Sequence, residues 1–377
     1  MDHAEAIDPH TVALYLTQAY GPIEYCLSYG YMSIYQKAAA SADLDAYRRA
    51  PIGTGPYKFV SWDTGDKIIV EANPDYWNGA DFPIKHVTYK ISTDTSAVLV
   101  ALEAGDVDFC DTINNNQLDV IMGSNVIATV NAPDPATWYL CMNLSTEPFN
   151  DENLRKALAC CVDADAVVAG ALSGYGYANE SMCSMMVAQY PQGFKSVYQY
   201  DLEKAKEYLA ASNYPNGVDI VMDCMDDARF IAISEIVAES ARQVGINLKI
   251  EKTERAAYLE KVRTNHDYKI VVMGTSPAFP DGDYMYSLHH SSYIASAKNW
   301  GEINDPDIDA WLDEARTSID ESVRTADYQN VIKRMDEKAY NIGILQYQQY
   351  LIFNNKLQGV EPSSSRRVFI NNWSWAE

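Results

Sequence analysis

Positive charge is scarce in this sequence. Lysine and arginine total 29 of 377 residues against 52 aspartates and glutamates, a formal charge of −23 at pH 7. Tracking a phosphate backbone requires a basic surface that releases counterions, so nucleic acid is excluded as a partner. The same shortage excludes docking on an anionic leaflet through a polybasic patch. Long apolar runs are missing too. None approaches the ~20 residues that cross a bilayer, and no direct membrane insertion is expected. The opening Met1-Asp2-His3-Ala4-Glu5 is not a basic segment followed by an apolar one, so no signal peptide is expected within these residues. The seven cysteines (Cys26, Cys110, Cys141, Cys160, Cys161, Cys183 and Cys224) contain no C-x-x-C pair, and no structural zinc site is expected from them. Free buried thiols, or one or two disulfides in an exported protein, both remain open.

Catalytic signatures are equally absent. The chain has no G-x-S-x-G elbow, H-E-x-x-H helix, Walker loop or G-x-G-x-x-G turn. Gly53-Thr54-Gly55 leads into a strand pattern, so no helix N-terminus stands behind it for a phosphate. His289-His290 is the only histidine pair, and neighbours on a helix point about 100° apart, which suits one metal poorly. The acids Asp281 and Asp283 carry little information in so acidic a chain and read first as cap or turn residues. No catalytic residue, no metal and no cofactor is expected, and the chain is read as a non-enzyme.

What is present is a globular composition, 47% hydrophobic, with 27 tyrosines. That length suits one large domain or two lobes of about 150–200 residues. Tyrosine combines apolar area with a polar tip, and a surplus points mildly to a ligand groove. Strand patterns cover residues 54–60, 67–71 and 86–91, followed by a helical period over 96–104 stopped at Gly105 and a short strand at 107–109. Asp151 and Asp201 stand where helices begin. Strands at 218–222, 247–251 and 268–273 alternate with helices around 233–244 and 256–264, which predicts a largely parallel sheet covered by helices. Helices near 307–318 and 323–340 lead into an apolar segment, 342–353.

Several segments match one family in order and spacing. Ile52-Gly53-Thr54-Gly55-Pro56-Tyr57-Lys58-Phe59 is followed by Asn73-Pro74-Asp75-Tyr76-Trp77, then Ala101-Leu102-Glu103-Ala104-Gly105-Asp106-Val107-Asp108. Pro148-Phe149-Asn150-Asp151, Leu154-Arg155-Lys156-Ala157-Leu158, Tyr200-Asp201-Leu202-Glu203-Lys204-Ala205-Lys206, Asn213-Tyr214-Pro215-Asn216-Gly217 and Val244-Gly245-Ile246 complete the set. Together they resemble the family 5 extracellular solute-binding proteins of ABC transporters, the oligopeptide, dipeptide and nickel class. The resemblance covers essentially the whole chain. Most of these residues read as scaffold: the two glycines of Gly53-Thr54-Gly55 for turning at a strand entry, Trp77 for a core.

The resemblance implies an α/β fold of the two-lobed periplasmic-binding-protein-like kind (type II, oligopeptide-binding class) that closes on its ligand. Residues 1–140 form a partial first lobe, 141–346 the second and 347–377 a C-terminal return to the first. The family's proteins begin well upstream of the segment resembling Asp8-Pro9-His10-Thr11-Val12, so the first lobe is expected to be incomplete at its N-terminus and prone to self-association. The implied function is the substrate-binding component of an ABC importer, capturing a small solute, peptide or peptide-like, in an interlobe cleft and delivering it to membrane permease subunits. The implied location is extracytoplasmic, at the cell surface or in the periplasm, with a signal and lipoprotein anchor on the missing part. A metal-chelate or haem binder of the same family using His289 or His290, and a degenerate non-transporting paralogue, stand as alternatives. A hydrolase using Ser276 or a cysteine with one of those histidines is a remoter one.

Ligand-contacting residues follow from the same resemblance. Crossover strands near 136–143 and 345–350 offer Trp138, Tyr139, Asn143, Gln346 and Tyr347, with Tyr139 and Trp138 on opposite faces. Residues 274–284 resemble the family's G-W-x-x-D-x-x-D-P-D-N-F loop, in which the tryptophan and first aspartate hold a peptide. Thr275 and Ala278 stand at those two positions, so a free peptide amino terminus is expected to bind weakly. Phe279, Asp281, Asp283 and Tyr284 are the remaining candidates in the loop.

Overall fold

The structure, a computed structural model, describes residues 1–79, 81–112, 114–296, 298–364 and 366–376. The chain divides into two compact units, Met1–Cys26 with Pro133–Gln348, and Leu27–Ala132 with Gln349–Glu377. Residues Met1–Cys26 thus group with 133–348, whereas the sequence joins them to the remainder of 1–140. The cause is specific bonding: the Tyr20 hydroxyl donates to Asp283 at 2.8 Å, and the Gly21 N–H donates to the Arg316 carbonyl at 2.8 Å.

In the larger unit, strands Val218–Met225, Ile246–Thr253 and Ile270–Thr275 run parallel, pairing Val218 with Ile246 and Met222 with Ile270. Helix Ala228–Arg242 makes the first crossover, and helix Arg255–Leu259 lies in the second. The next neighbour breaks the expected parallel order. Ile270–Thr275 pairs antiparallel with the long strand Ile127–Met142, Ile270 opposite Met142 and Thr275 opposite Thr137. A second long strand, Asn341–Asn354, follows and carries the short strand Gly176–Ala178. The sheet is therefore mixed, because only the three parallel strands are joined by the helical crossovers that parallel pairing demands.

The run Ile270-Val271-Val272-Met273 is buried throughout, as suits a strand covered on both faces. Its alternate residues supply two cores. Ile270 and Val272 join Leu140, Met142, Phe149, Ile233 and Val237, whereas Val271 and Met273 join Tyr139, Cys141, Tyr258, Tyr286 and Val331. Aspartates begin the surrounding helices: Asp151, Asp201, Asp227 and Asp305 each accept a first-turn N–H. Each such cap contributes about 1 kcal/mol, so part of the acid surplus has a structural use. Gly217 and Gly245 have φ of 99° and 98°, and a Cβ on Gly217 would lie 2.7 Å from the Gly245 carbonyl oxygen. Glycine is required there.

The smaller unit holds the antiparallel sheet Tyr57–Asp63, Lys67–Ala72 and His86–Lys90, with helix Thr95–Ala104 capped by Asp94 and stopped by Gly105 at φ 79°. Its core gathers Leu351, Phe353, Leu357, Val360, Ile370 and Trp373. Trp77 is not in it: the residue is 77% exposed, its ring 5.6 Å from that of Tyr76. Nor do Gly53 and Gly55 adopt a positive φ. All seven cysteines are free thiols, five of them buried. Among the described residues no helix is long and apolar enough to cross a membrane.

Candidate functional site

Strand Ile270–Thr275 ends at the loop that the sequence singles out. Asp281 caps helix Gly282–Tyr286, accepting the Asp283 N–H at 2.9 Å, and a 3₁₀ turn, Ser287–His289, continues from it. These elements wall a cavity of about 360 Å³ that lies within the larger unit. Tyr139, Met182, Thr275, Phe279, Tyr284 and Trp300 give it a largely aromatic and apolar lining, and Tyr20 and Cys26 close it from the N-terminal segment. Phe279 and Tyr284 pack edge to face with centroids 5.3 Å apart.

Polar groups in this wall are few. Asp283 is 4% exposed. It accepts from the Tyr20 hydroxyl and lies 3.2 Å from Arg316 Nε. Burial raises its carboxyl above the ordinary range, and Arg316 opposes that rise. Burial likewise drives the Tyr20 hydroxyl far above an ordinary phenol, so it stays protonated and donates. Burial also lowers His289 to about 4, which leaves its ring neutral at pH 7. Lys298 lines the cavity, and Arg263 lies over the Trp300 indole at 4.9 Å.

Of the candidates named from the sequence, the cavity brings together Tyr139, Phe279, Asp283 and Tyr284. The other six have different surroundings. Trp138 points to the opposite face of its strand, edge-on to Phe230 at 4.6 Å and against Tyr347 at 5.2 Å. A Cβ on Gly274 would come within 2.7 Å of the Trp138 ring, so this packing uses the glycine. Tyr347 also has Arg229 at 5.9 Å. Asn143 builds a turn, accepting from Ser145 N and Oγ at 3.1 and 2.8 Å. Gln346 is fully buried. Its Oε1 accepts from Asn179 and the Met185 N–H, and its Nε2 donates to the Asp134 carbonyl and Ser184. Asp281 is fully buried against Arg324 and Gln189. Ala278 is half-buried and outside the lining.

The sequence does not single out Tyr20, Met182, Met285, Ser287, Leu288, Lys298 or Trp300 as site residues. Only the tyrosine surplus hinted at such a wall. The histidine pair separates: His289 is buried in the lining, while His290 lies 3.7 Å from Asp309 and 3.5 Å from Asp313. Among the described residues no group of three or more histidines, cysteines or acids is placed to hold a metal.

The family model described as bacterial extracellular solute-binding proteins, family 5, middle part, matches residues 1–296. The chain belongs to the family 5 solute-binding proteins. Relatives of this solute-binding protein include the oligopeptide-binding protein AppA of Bacillus subtilis, 27% identical over 348 residues, covering 86% of this chain and 62% of AppA. The probable D,D-dipeptide-binding periplasmic protein DdpA of Escherichia coli is 27% identical over 370 residues, covering 94% of this chain and 69% of DdpA. The chain thus spans somewhat under two thirds of AppA's length. Among solved structures, HbpA2 from Haemophilus parasuis superposes with a TM-score of 0.90 at 23% identity, covering all of this chain and 75% of that one. The α/β fold is that of the periplasmic peptide-binding proteins.

Proposed function

We propose that this chain is the solute-capturing component of an ABC importer, working outside the cytoplasmic membrane, and that it takes a peptide or peptide-like solute into the cavity walled by Tyr139, Phe279, Tyr284 and Trp300. The observation that carries this is the cavity itself. It has the volume, aromatic lining and sparse polar groups of a small-molecule site, in a member of a solute-binding family. The relatives' names support a peptide-like cargo, since they are called oligopeptide-, dipeptide- and glutathione-binding. Delivery to membrane permease subunits and a signal or lipid anchor in a longer protein belong to the same proposal. No catalytic role is proposed.

Calorimetric titration with a library of di- to pentapeptides, free and N-blocked, tests it. Binding with a stoichiometry near one is expected, and Phe279→Ala should weaken it about tenfold, since a partly lost aromatic contact is worth roughly 1.5 kcal/mol. A library member that binds equally well to wild type, Phe279→Ala and Tyr284→Ala would remove the cavity from the function.

A further inference from the structure

Charge around the cavity does not follow the acidic total of the chain. Among the described residues Asp283 is the only carboxylate in the lining, and it is already held by Arg316 and the Tyr20 hydroxyl. Asp281, two positions earlier, is enclosed with Arg324 and Gln189. No acid in this wall is left to receive a ligand cation. On the Trp300 side the balance is opposite. Lys298 is an exposed side chain on the cavity lining, its ammonium 5.8 Å from the Tyr293 ring and without a carboxylate partner among the described residues. Arg263 covers Trp300 and has no carboxylate partner among the described residues. Arg263 is an exposed side chain outside the lining, stacked on Trp300, which itself lines the cavity.

We infer that the cavity accepts a peptide-like solute bearing a free carboxylate and no free ammonium, with Lys298, supported by Arg263, as the counter-charge that sets this preference. The inference rests on the cavity being the solute site. An ammonium entering here finds no free carboxylate in the wall: pairing with Asp283 means displacing Arg316, and any other placement leaves it desolvated without a countercharge, which is costly. A carboxylate gains a charge-assisted hydrogen bond from Lys298, and the hydroxyls of Thr275 and Ser287 in the same wall can donate to it. Met182, Met285, Leu288 and Phe279 then meet the apolar body. The overall charge of −23 slows the approach of an anion from a distance, but screening within about 8 Å at physiological salt confines that effect to encounter and leaves the contact pair intact.

Four probes on one body separate the possibilities: N-acetyl-leucyl-phenylalanine, its amide, leucyl-phenylalanine amide and free leucyl-phenylalanine, titrated calorimetrically into the whole chain. The acetylated acid should bind at least tenfold tighter than its uncharged amide, and the ammonium-only amide should bind weakest. In Lys298→Gln the acid-to-amide ratio should fall at least fivefold while the uncharged amide keeps its affinity within twofold. Lys298→Arg should restore the ratio, and Arg263→Gln should lower it by a smaller factor. Tightest binding by the ammonium-only probe, or an unchanged ratio in Lys298→Gln, overturns the charge assignment and leaves the cavity as solute site. Silence from all four probes with the folded protein overturns both.

Discussion

The ion pair beneath the site loop gives a severe test of how this loop is held. Asp281 has no exposed surface and Arg324 is 2% exposed. The guanidinium Nη2 donates to Asp281, Nη1 donates to the Ala315 carbonyl at 2.8 Å, and Nε faces Glu321 at 3.3 Å. Arg324→Met keeps the aliphatic stem and removes the charge. Asp281 then retains Gln189 Nε2 at 3.1 Å and the Asp283 N–H, but its carboxylate is buried without a counter-charge. Breaking one half of such a pair costs about 3–5 kcal/mol. For a unit of about 240 residues each kcal/mol moves Tm by roughly 2–4 °C, so a fall of about 6–20 °C is expected. Asp281 caps the helix that carries Asp283 and Tyr284, so solute affinity should fall with stability. The double variant Asp281→Asn with Arg324→Met keeps a capping side chain and buries no charge, and should recover much of the loss. Urea unfolding followed by far-UV circular dichroism reads both. A single variant within 1 kcal/mol of wild type, or a double variant worse than the single, would refute the assignment of that pair as the loop's anchor.

Acid should weaken the larger unit through His289. Burial lowers that imidazole from 6.5 to about 4, so between these pH values the unfolded chain binds a proton that the folded chain does not, and stability rises with pH. A gap of about 2.5 pH units at 1.36 kcal/mol each is worth about 3 kcal/mol, complete at pH 7 and lost as pH falls from 6.5 to 4. Urea midpoints at pH 7 and 4.5 should therefore differ less in His289→Gln than in wild type, and equal differences would count against it. Thiol labelling probes the cavity directly. Burial raises Cys141, Cys161 and Cys183 to about 12 and Cys160 to about 11, and raises Cys224 too, so at pH 8 the half-buried Cys26 and Cys110 should react ahead of the other five with a disulfide reagent, Cys110 more slowly because burial raises its thiol as well. Saturating solute should then slow Cys26, which lines the cavity, and leave Cys110 unchanged; protection of both or neither would contradict the cavity assignment.

The scaffold was legible because its signals are local. Asp151 and Asp201 announce helix starts through side chains that bond two and three residues ahead. Gly105 ends a helix by its own left-handed φ. Val271 and Val272 declare a two-sided strand by hydrophobicity alone. Trp77 shows the limit. An aromatic residue in a turn cluster reads as core, yet its burial depends on what the turn faces, and here it faces solvent. The grouping of Met1–Cys26 was hidden for a related reason: it depends on Tyr20 meeting Asp283, 263 positions away, and no periodicity records that.

The cavity wall was legible mainly where one short segment supplies it. Phe279, Asp283 and Tyr284 come from one loop, and Tyr139 follows from strand alternation; the rest of the wall arrives from 20, 182 and 298–300. The two acids of the loop make the point most sharply. Asp281 and Asp283 are equivalent on paper, being a pair of aspartates two residues apart. Arg324 fixes the first inside the protein and Arg316 neutralises the second at the cavity wall, and both arginines come from helices more than thirty positions downstream. Neither acid is therefore a ready substitute for a ligand-binding carboxylate at Ala278. The family resemblance could locate the loop, but the charge the loop presents is decided by partners outside it. The charge at this wall can thus be altered through those distant partners while every scaffold motif stays as it is.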